Sequence, residues 1–466
     1  MPSIERIVFL SLVLDLFAGV VRPEWIFVPN PFLRIYNPRD IVQANIKSTK
    51  MGYSIVRALQ WFVSPYIGAL SDKYGRKRVL LITMIGNILS AVVWIFSTSF
   101  ASYMLSRVIG GLSEGNVQLA IAILSDITTP QNRAKALAHV GIAFAICFII
   151  GPPIGAYFAS RPLPSSFTAS GIELNVYAAP ALLTLVLLLL ETIFLVVALP
   201  ETRGKRAVVT KEKSANGTHT NGTLNSKANG STNGSANGNG KTNGTNGHLS
   251  KEESIKKRIH MLSTLRRVHF LFLGLFSGVE FTLTFLTFDL FDWNNKQNGY
   301  LIGFIGIISA LLQGGYVRRA IPKVGEGMMA RRGVSSCVAG LALLSVVPLL
   351  SSTTIAVKLL QAAAVCLAFT SATVVNSLTS FASLQCDDNV DKDTGKVSEE
   401  HPELTKGKAL GKFRSSGQLG RAIGPLLACA SYWTFGPSLT YAISAVAMFA
   451  LSVSMKSLAV RRSTSA

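Results

Sequence analysis

Acidic residues are scarce in this chain. Only 24 Asp and Glu stand against 45 Lys and Arg in 466 residues, and charged residues of both signs make up 15 %. An average soluble chain carries roughly 25 %, so there is too little charge to clothe the two to four soluble domains this length would otherwise suggest. Cysteine is scarce too. The five present (Cys147, Cys337, Cys366, Cys386, Cys429) lie in or beside apolar blocks, with no Cys-x-x-Cys pair and no histidine at ligand spacing. That pattern speaks against a disulfide framework or a zinc site and for small residues in packed helices. Also missing are the phosphate-binding pattern Gly-x-x-x-x-Gly-Lys-Ser/Thr and any nucleophile and base that can be paired. No enzyme chemistry, ATP hydrolysis, metal or cofactor is therefore expected.

What the chain has is apolar length. Hydrophobic residues make up 49 %, gathered into blocks of about 20 residues, enough to cross a bilayer core of about 30 Å as a helix. Twelve such blocks can be counted, at about 5–21, 52–71, 79–98, 102–126, 134–159, 177–199, 268–290, 298–318, 333–351, 354–384, 410–434 and 437–457. The expected fold class is an all-α polytopic membrane protein of twelve transmembrane helices.

Basic residues collect in alternate loops. Lys73, Arg76, Lys77 and Arg78, then Arg133 and Lys135, then Arg203 to Arg267, Arg318 to Arg332 and Lys406 to Arg414 all fall on one side. Positively charged loops resist translocation, so that side is read as cytosolic and both termini with it. The surplus of +21 then needs no nucleic-acid partner; the expected partners are the bilayer, a small-molecule substrate and protons, with the chain working as a monomer. The membrane is either the plasma membrane or an internal one of vacuolar or lysosomal type.

Between spans 6 and 7, residues 201–265 are polar and repeat Asn-Gly with Ser, Thr, Ala and Lys. Such a stretch buries almost nothing apolar and is expected to be a disordered cytosolic linker. It separates an N-terminal six-helix half (1–200) from a C-terminal one (266–466). Five Asn-Gly-Ser/Thr triplets there match the glycosylation pattern, but in the cytosol they stay unmodified. At the N-terminus, Ile7 to Val21 has the look of a signal peptide, yet Asp15 in its middle argues for a first span, since a carboxylate in a hydrophobic segment is usually turned to a bundle interior.

The halves echo one another. Gly151-Pro152-Pro153-Ile154-Gly155 in span 5 answers Ile423-Gly424-Pro425 in span 11, and the loop from Gly68 to Arg78 answers Gly314 to Arg319. Duplicated six-helix units are how many secondary carriers are built, with the binding site between the repeats near mid-membrane.

Gly68-Ala69-Leu70-Ser71-Asp72-Lys73-Tyr74-Gly75-Arg76-Lys77-Arg78 resembles the loop signature G-x-L-x-D-[RK]-x-G-[RK]-[RK] of the major facilitator superfamily. Arg107 in Leu105-Ser106-Arg107-Val108-Ile109-Gly110-Gly111 is similar to its span 4 signature, and Gly151 to Gly155 to its antiporter signature. Phe413 to Pro425, together with Ser113-Glu114-Gly115-Asn116, is similar to the tetracycline-transporter-like branch of the drug:proton antiporters. The stretch after Asp15 departs from that branch, whose span 1 continues from its Asp through an apolar run to a proline pair: here Leu16-Phe17-Ala18-Gly19 runs into Val20-Val21-Arg22-Pro23-Glu24-Trp25, so span 1 is expected to be short or irregular.

The resemblance implies a gating loop of Gly68, Asp72, Gly75, Arg76, Lys77 and Asp126. In it Asp72 would face the N-terminus of span 11, where the helix dipole favours a carboxylate, and Arg76 would pair with Asp126. On a continuous span 4 helix, Arg107, Glu114, Gln118 and Ser125 fall within about 20° of one line, and that line must face the interior. Asp15 and Glu114 are the proton-coupling candidates, with Arg107 to tune either; Glu191 and Glu280 are weaker ones. Gly151, Pro152, Pro153, Gly155, Gly424 and Pro425 would bend and shape the interface between the halves. Gln118, Arg421 and Gln60 are substrate-path candidates, Arg421 suiting an organic anion, whereas Arg57 is near an outer end and able to snorkel. The function these residues imply is proton-coupled antiport of an amphipathic organic solute by alternating access. An uncoupled or proton-symport permease for a sugar or metabolite, and a transport-inactive sensor or scaffold, stay open.

Overall fold

The structure is a computed structural model that describes residues 4–20, 38–97, 99–130, 132–159, 178–203, 243–293, 295–387 and 401–459. Among the described residues there is no strand. The N-terminal half comprises α1 (Ile4–Val20), α2 (Pro38–Tyr74), α3 (Arg76–Ile95), α4 (Phe100–Ser113), α5 (Asn116–Ile127), α6 (Arg133–Ala159) and α7 (Ala178–Ala198). The C-terminal half comprises α8 (Asn243–Phe291), α9 (Asn295–Leu311), a π-helical turn (Leu312–Val317), α10 (Arg318–Val324), α11 (Glu326–Val346), α12 (Thr353–Gln385), α13 (Lys406–Phe435) and α14 (Pro437–Ser454). With α4–α5 forming one crossing and α9–π–α10 another, these are twelve transmembrane segments in two six-helix halves. Nine are long and apolar enough to cross a membrane on that ground alone; α1, at 17 residues, α2 and α13 complete the set.

Each half has its own core. In the first, Ile7, Val8 and Leu12 of α1 pack with Met84, Leu119, Ile123, Leu137, Leu188 and Leu195. In the second, Phe272, Phe276 and Leu286 of α8 pack with Leu341, Leu367, Leu378, Phe413, Tyr441 and Met448. Lipid tails are as apolar as these side chains, so close packing rather than water exclusion holds helix on helix in the bilayer. Outward-facing Ile82, Ile85, Val197, Leu311, Val446 and Phe449 are more than half exposed, a surface matched to acyl chains.

The duplication is visible in the backbone. Gly75 joins α2 to α3 at φ 102° and ψ 152°, and Gly325 joins α10 to α11 at φ 91° and ψ 150°, a conformation that L side chains rarely adopt. The halves meet along two seams, α2 against α13 and α6 against α9.

Three expectations change. The long helix α8 begins at Asn243, so the last part of the expected 201–265 linker is helical. Glu252–Lys256 (2.8 Å) and Glu253–Lys257 (2.7 Å) pair at i,i+4, and Arg258 donates to the carbonyls of Gln385 (2.8 Å) and Asp387; composition is blind to both. Residues 204–242, which carry most of the Asn-Gly repeats, lie outside the described residues. Span 2 begins at Pro38, well before residue 52, while residues 21–37 are again outside. Span 4 is broken at Glu114–Gly115, where Glu114 is extended (φ −76°, ψ 90°).

Candidate functional site

At the end of the bundle that carries the basic loops, one half is latched to the other by ionic and backbone contacts. Asp72, in the last turn of α2, accepts hydrogen bonds from the backbone N–H groups of Gly407 (2.9 Å) and Lys408 (2.8 Å). These belong to the first turn of α13, whose donors have no partner within their own helix. Arg76 ties that carboxylate (2.7 Å) to Asp126 (2.9 Å) and is only 4 % exposed. The approach is backbone to backbone: a Cβ on Gly68 would sit on the carbonyl of Gly407. Lys77 is separate from this latch. Its ammonium donates to the Val196 carbonyl (2.9 Å), and its N–H and that of Arg76 donate to Glu201, so it fastens α3 to the end of α7 within one half. Partial burial by itself would raise the Glu201 pKa, but N–H donors from Arg203, Arg76, Lys77 and Thr202 hold it below the ordinary carboxylate value.

A second pair of contacts crosses in both directions. Arg133, the first residue of α6, reaches Asp387 of the other half at 2.6 Å. Lys406, the first residue of α13, lies 3.6 Å from Asp126 and 3.7 Å from Asp387. Between them the hydroxyls of Ser125 and Ser383 meet at 2.9 Å, and Arg133 also donates to the carbonyls of Ser125 and Thr128 (2.9 Å each). Sequence reading counted Arg133 and Lys406 only as basic-loop charges and did not single out Asp387. A signal was available: Arg133-Ala-Lys-Ala-Leu and Lys406-Gly-Lys-Ala-Leu open the equivalent helices.

Farther into the membrane, the break in span 4 divides the line expected on one helix. Arg107 lies over the rings of Trp94 (5.0 Å) and Tyr103 (5.1 Å), 3 % exposed. Glu114 instead accepts from the Gln60 amide of α2, and Gln118 donates to the Ser64 carbonyl (3.1 Å). Gly115 has no side chain, which lets Ile67 of α2 close in; a Cβ there would meet it at 2.9 Å. The same break turns Asn116 to donate to Asp15 (2.7 Å) and accept from Thr83 (3.0 Å). Arg414 of α13 lies within electrostatic reach of both Glu114 and Asp15.

Arg57 does not snorkel. It donates to Gln60 (2.9 Å) and, across the seam, to Gln418 (3.3 Å) of α13. Together with Arg421 it acts on Glu280 of α8. Three arginines (57, 414, 421) and three carboxyls (15, 114, 280) are thus assembled from α1, α2, α4, α8 and α13. Glu191, 1 % exposed, accepts from Ser11 (2.8 Å), one helical turn from Asp15, a pairing that no sequence spacing reveals.

The bend residues divide as well. α6 runs as helix through Gly151 to Ala159; Gly151 is buried, and the side-chain surroundings of Pro152, Pro153 and Gly155 lie outside the described residues. Gly424 packs on the Gly274 carbonyl and Ser277 of α8, and Pro425 is buried inside α13. Gly424 therefore serves packing within its own half instead of the interface between halves. Among the described residues no group of His, Cys, Asp and Glu is placed to hold a metal ion.

The arrangement joins the two halves at one end with charge-assisted bonds, and it gathers cations and carboxyls between the halves. Comparison with known proteins identifies the family. Residues 42–390 match the Major Facilitator Superfamily profile. The chain is 31 % identical over 387 residues to major facilitator superfamily domain-containing protein 10 of Mus musculus, covering 83 % of this chain and 73 % of that protein. It is 27 % identical over 218 residues to the class H tetracycline resistance protein of Pasteurella multocida, covering 46 % and 49 %. The crystal structure of the human organic anion transporter MFSD10 (TETRAN) superposes with a TM-score of 0.70 at 26 % identity, over 98 % of this chain and 100 % of that one.

Proposed function

The chain belongs to the major facilitator superfamily of membrane transporters, and from that premise we propose that it exchanges protons for amphipathic organic anions by alternating access. The observation that carries this reading is the convergence of Arg57, Arg414 and Arg421 with Glu114, Asp15 and Glu280 between the halves. Uncompensated charge in a bilayer interior is expensive and is retained where it binds an ion or a proton. An anionic substrate would be drawn to the three guanidiniums, which offer planar, multidentate donors. A carboxyl released from its arginine by that substrate would then take up a proton, and the two ligands would compete for one cluster. The relative solved as an organic anion transporter supports the substrate class.

In this reading the basic end is cytosolic, following the positive-inside rule, and the structure is the cytosol-closed state. The latch of Asp72, Arg76, Asp126, Arg133, Asp387 and Lys406 holds it, and rocking of the two halves about the seams exposes the cluster to alternate sides. The test is proton flux in proteoliposomes containing a trapped pH dye, challenged in turn with lipophilic anions, lipophilic cations and sugars. Proton movement evoked by anions alone is the expected result. Transport of a sugar with no proton movement would replace this reading with an uncoupled permease.

A further inference from the structure

On the α2–α13 seam every cation of the latch faces an acid or a carbonyl, whereas the other seam is built differently at the same end. There, a cavity of about 500 Å³ between α6 and α10 is lined by Lys135, Gly314, Arg318, Arg319, Pro322 and Lys323. Four of the six are cations and none is an acid. Among the described residues, none of their four side chains makes an ion pair or hydrogen bond.

The internal repeat explains what is missing. Gly75 and Gly325 have the same conformation at the same juncture, so they align the two halves. Three residues before Gly75 stands Asp72, which caps the start of α13 at Gly407 and Lys408; three residues before Gly325 stands Pro322. Lys408 in Lys406-Gly-Lys-Ala-Leu corresponds to Lys135 in Arg133-Ala-Lys-Ala-Leu. Pro322 and Lys135 line the same cavity, which is therefore the counterpart of the Asp72 capping site with its carboxylate removed and two further cations added: Arg318 and Arg319 stand where the first half has Gly68 and Ala69, while Lys323 answers Lys73. Gly314 leaves it roomy: a Cβ there would touch only Ile142, at 3.8 Å.

We propose that this cavity binds a phosphate-bearing polyanion, which supplies from outside the negative charge that Asp72 supplies on the opposite seam. Four like charges around one concavity repel one another, and the first turn of α6 adds its own partial positive charge. Phosphate oxygens match arginine and lysine donors in that setting. The volume accommodates a phosphorylated headgroup or a free polyphosphate. Because Lys135 belongs to one half and Arg318, Arg319 and Lys323 to the other, a bound polyanion ties the halves together and favours the state in which the basic end is closed.

The experiment uses the purified full-length chain and reads binding, so it stands apart from any transport assay. In the soluble arm, inositol hexakisphosphate is titrated calorimetrically against protein in uncharged detergent. In the lipid arm, the protein is taken from nanodiscs of phosphatidylcholine, with or without phosphatidylinositol bisphosphate, and retained lipid is counted by native mass spectrometry. Binding in the soluble arm points to a free polyanion, and retention in the lipid arm alone points to a headgroup; either supports the site. Arg318→Gln/Arg319→Gln/Lys323→Gln alters only exposed side chains and should weaken binding at least about tenfold. Lys256→Gln/Lys257→Gln/Arg266→Gln, which removes three exposed cations elsewhere, should leave it unchanged. Pro322→Asp, which restores the missing acid, should also weaken it. Silence of the wild type in both arms, or equal loss in the two triple variants, would overturn the proposal.

Discussion

Replacing Asp72 with Asn should open the basic end of the bundle. Asp72 accepts two backbone hydrogen bonds at the start of α13 and pairs with Arg76. Asparagine keeps one carbonyl acceptor and loses the other acceptor and the charge. A hydrogen bond to a charged group is worth about 1.5–3 kcal/mol, and a carboxylate at a helix N-terminus about 0.3–1 kcal/mol more; Arg76 keeps Asp126. The total, about 2–4 kcal/mol, applies only to the closed state. It therefore shifts the closed-to-open ratio by a factor between about 30 and 1,000. Spin labels on the exposed positions Arg78 and Lys257, one in each half, report this by double electron–electron resonance as growth of a longer distance. Lys77→Gln, which removes a contact within one half, should leave the distribution unchanged. A distribution in Asp72→Asn that matches wild type, in protein that inserts normally, would refute the latch.

Three further outcomes follow from the geometry. Gly68→Val places a side chain on the Gly407 carbonyl, so the variant should insert in the membrane yet show the same longer distance, and a wild-type distribution would show that the seam is not tight. Arg107→Gln removes a buried cation from two rings, each contact worth about 0.5–2 kcal/mol. It should lower the melting temperature while leaving anion preference intact; a changed preference with unchanged stability would put Arg107 in the substrate path. Glu403 is held down to about 2 by hydrogen bonds from Lys408 and Lys412. Since this value lies below the ordinary carboxylate value of about 4.3, its stabilisation is fully present above that pH and is lost as pH falls through about 2. The carboxyl carbon shift of Glu403 should titrate with a midpoint near 2, and an ordinary midpoint would show that the lysine clamp does not form.

The crossings were legible because a hydrocarbon core demands long apolar runs, and the loops between Gly68 and Arg78 because a charge that must turn a tight corner leaves a fixed spacing of acid, glycine and base. The partners of Asp72 and Arg76 follow from the family resemblance that this spacing carries, not from the spacing itself. Local irregularities were not legible. A helix wheel through Arg107, Glu114, Gln118 and Ser125 assumes an unbroken helix, and the turn at Glu114–Gly115 sends Arg107 to Trp94 and Asn116 to Asp15. Contacts between halves, such as Arg133 with Asp387 and Arg57 with Gln418, join residues hundreds of positions apart, and only the repeat of two short motifs marks any of them. Helical pairing in 243–265 was hidden because mean composition averages over the i,i+4 pairs that hold it.

The most direct test of coupled exchange is to measure proton-driven accumulation and solute counterflow in the same proteoliposomes, using the lipophilic anion that evokes proton movement in the wild type, with Glu114→Gln beside it. The amide keeps an oxygen for Gln60 but cannot carry a proton. The variant should retain anion-for-anion counterflow and lose uphill accumulation driven by a pH gradient. Uphill accumulation equal to wild type would contradict proton exchange at this cluster.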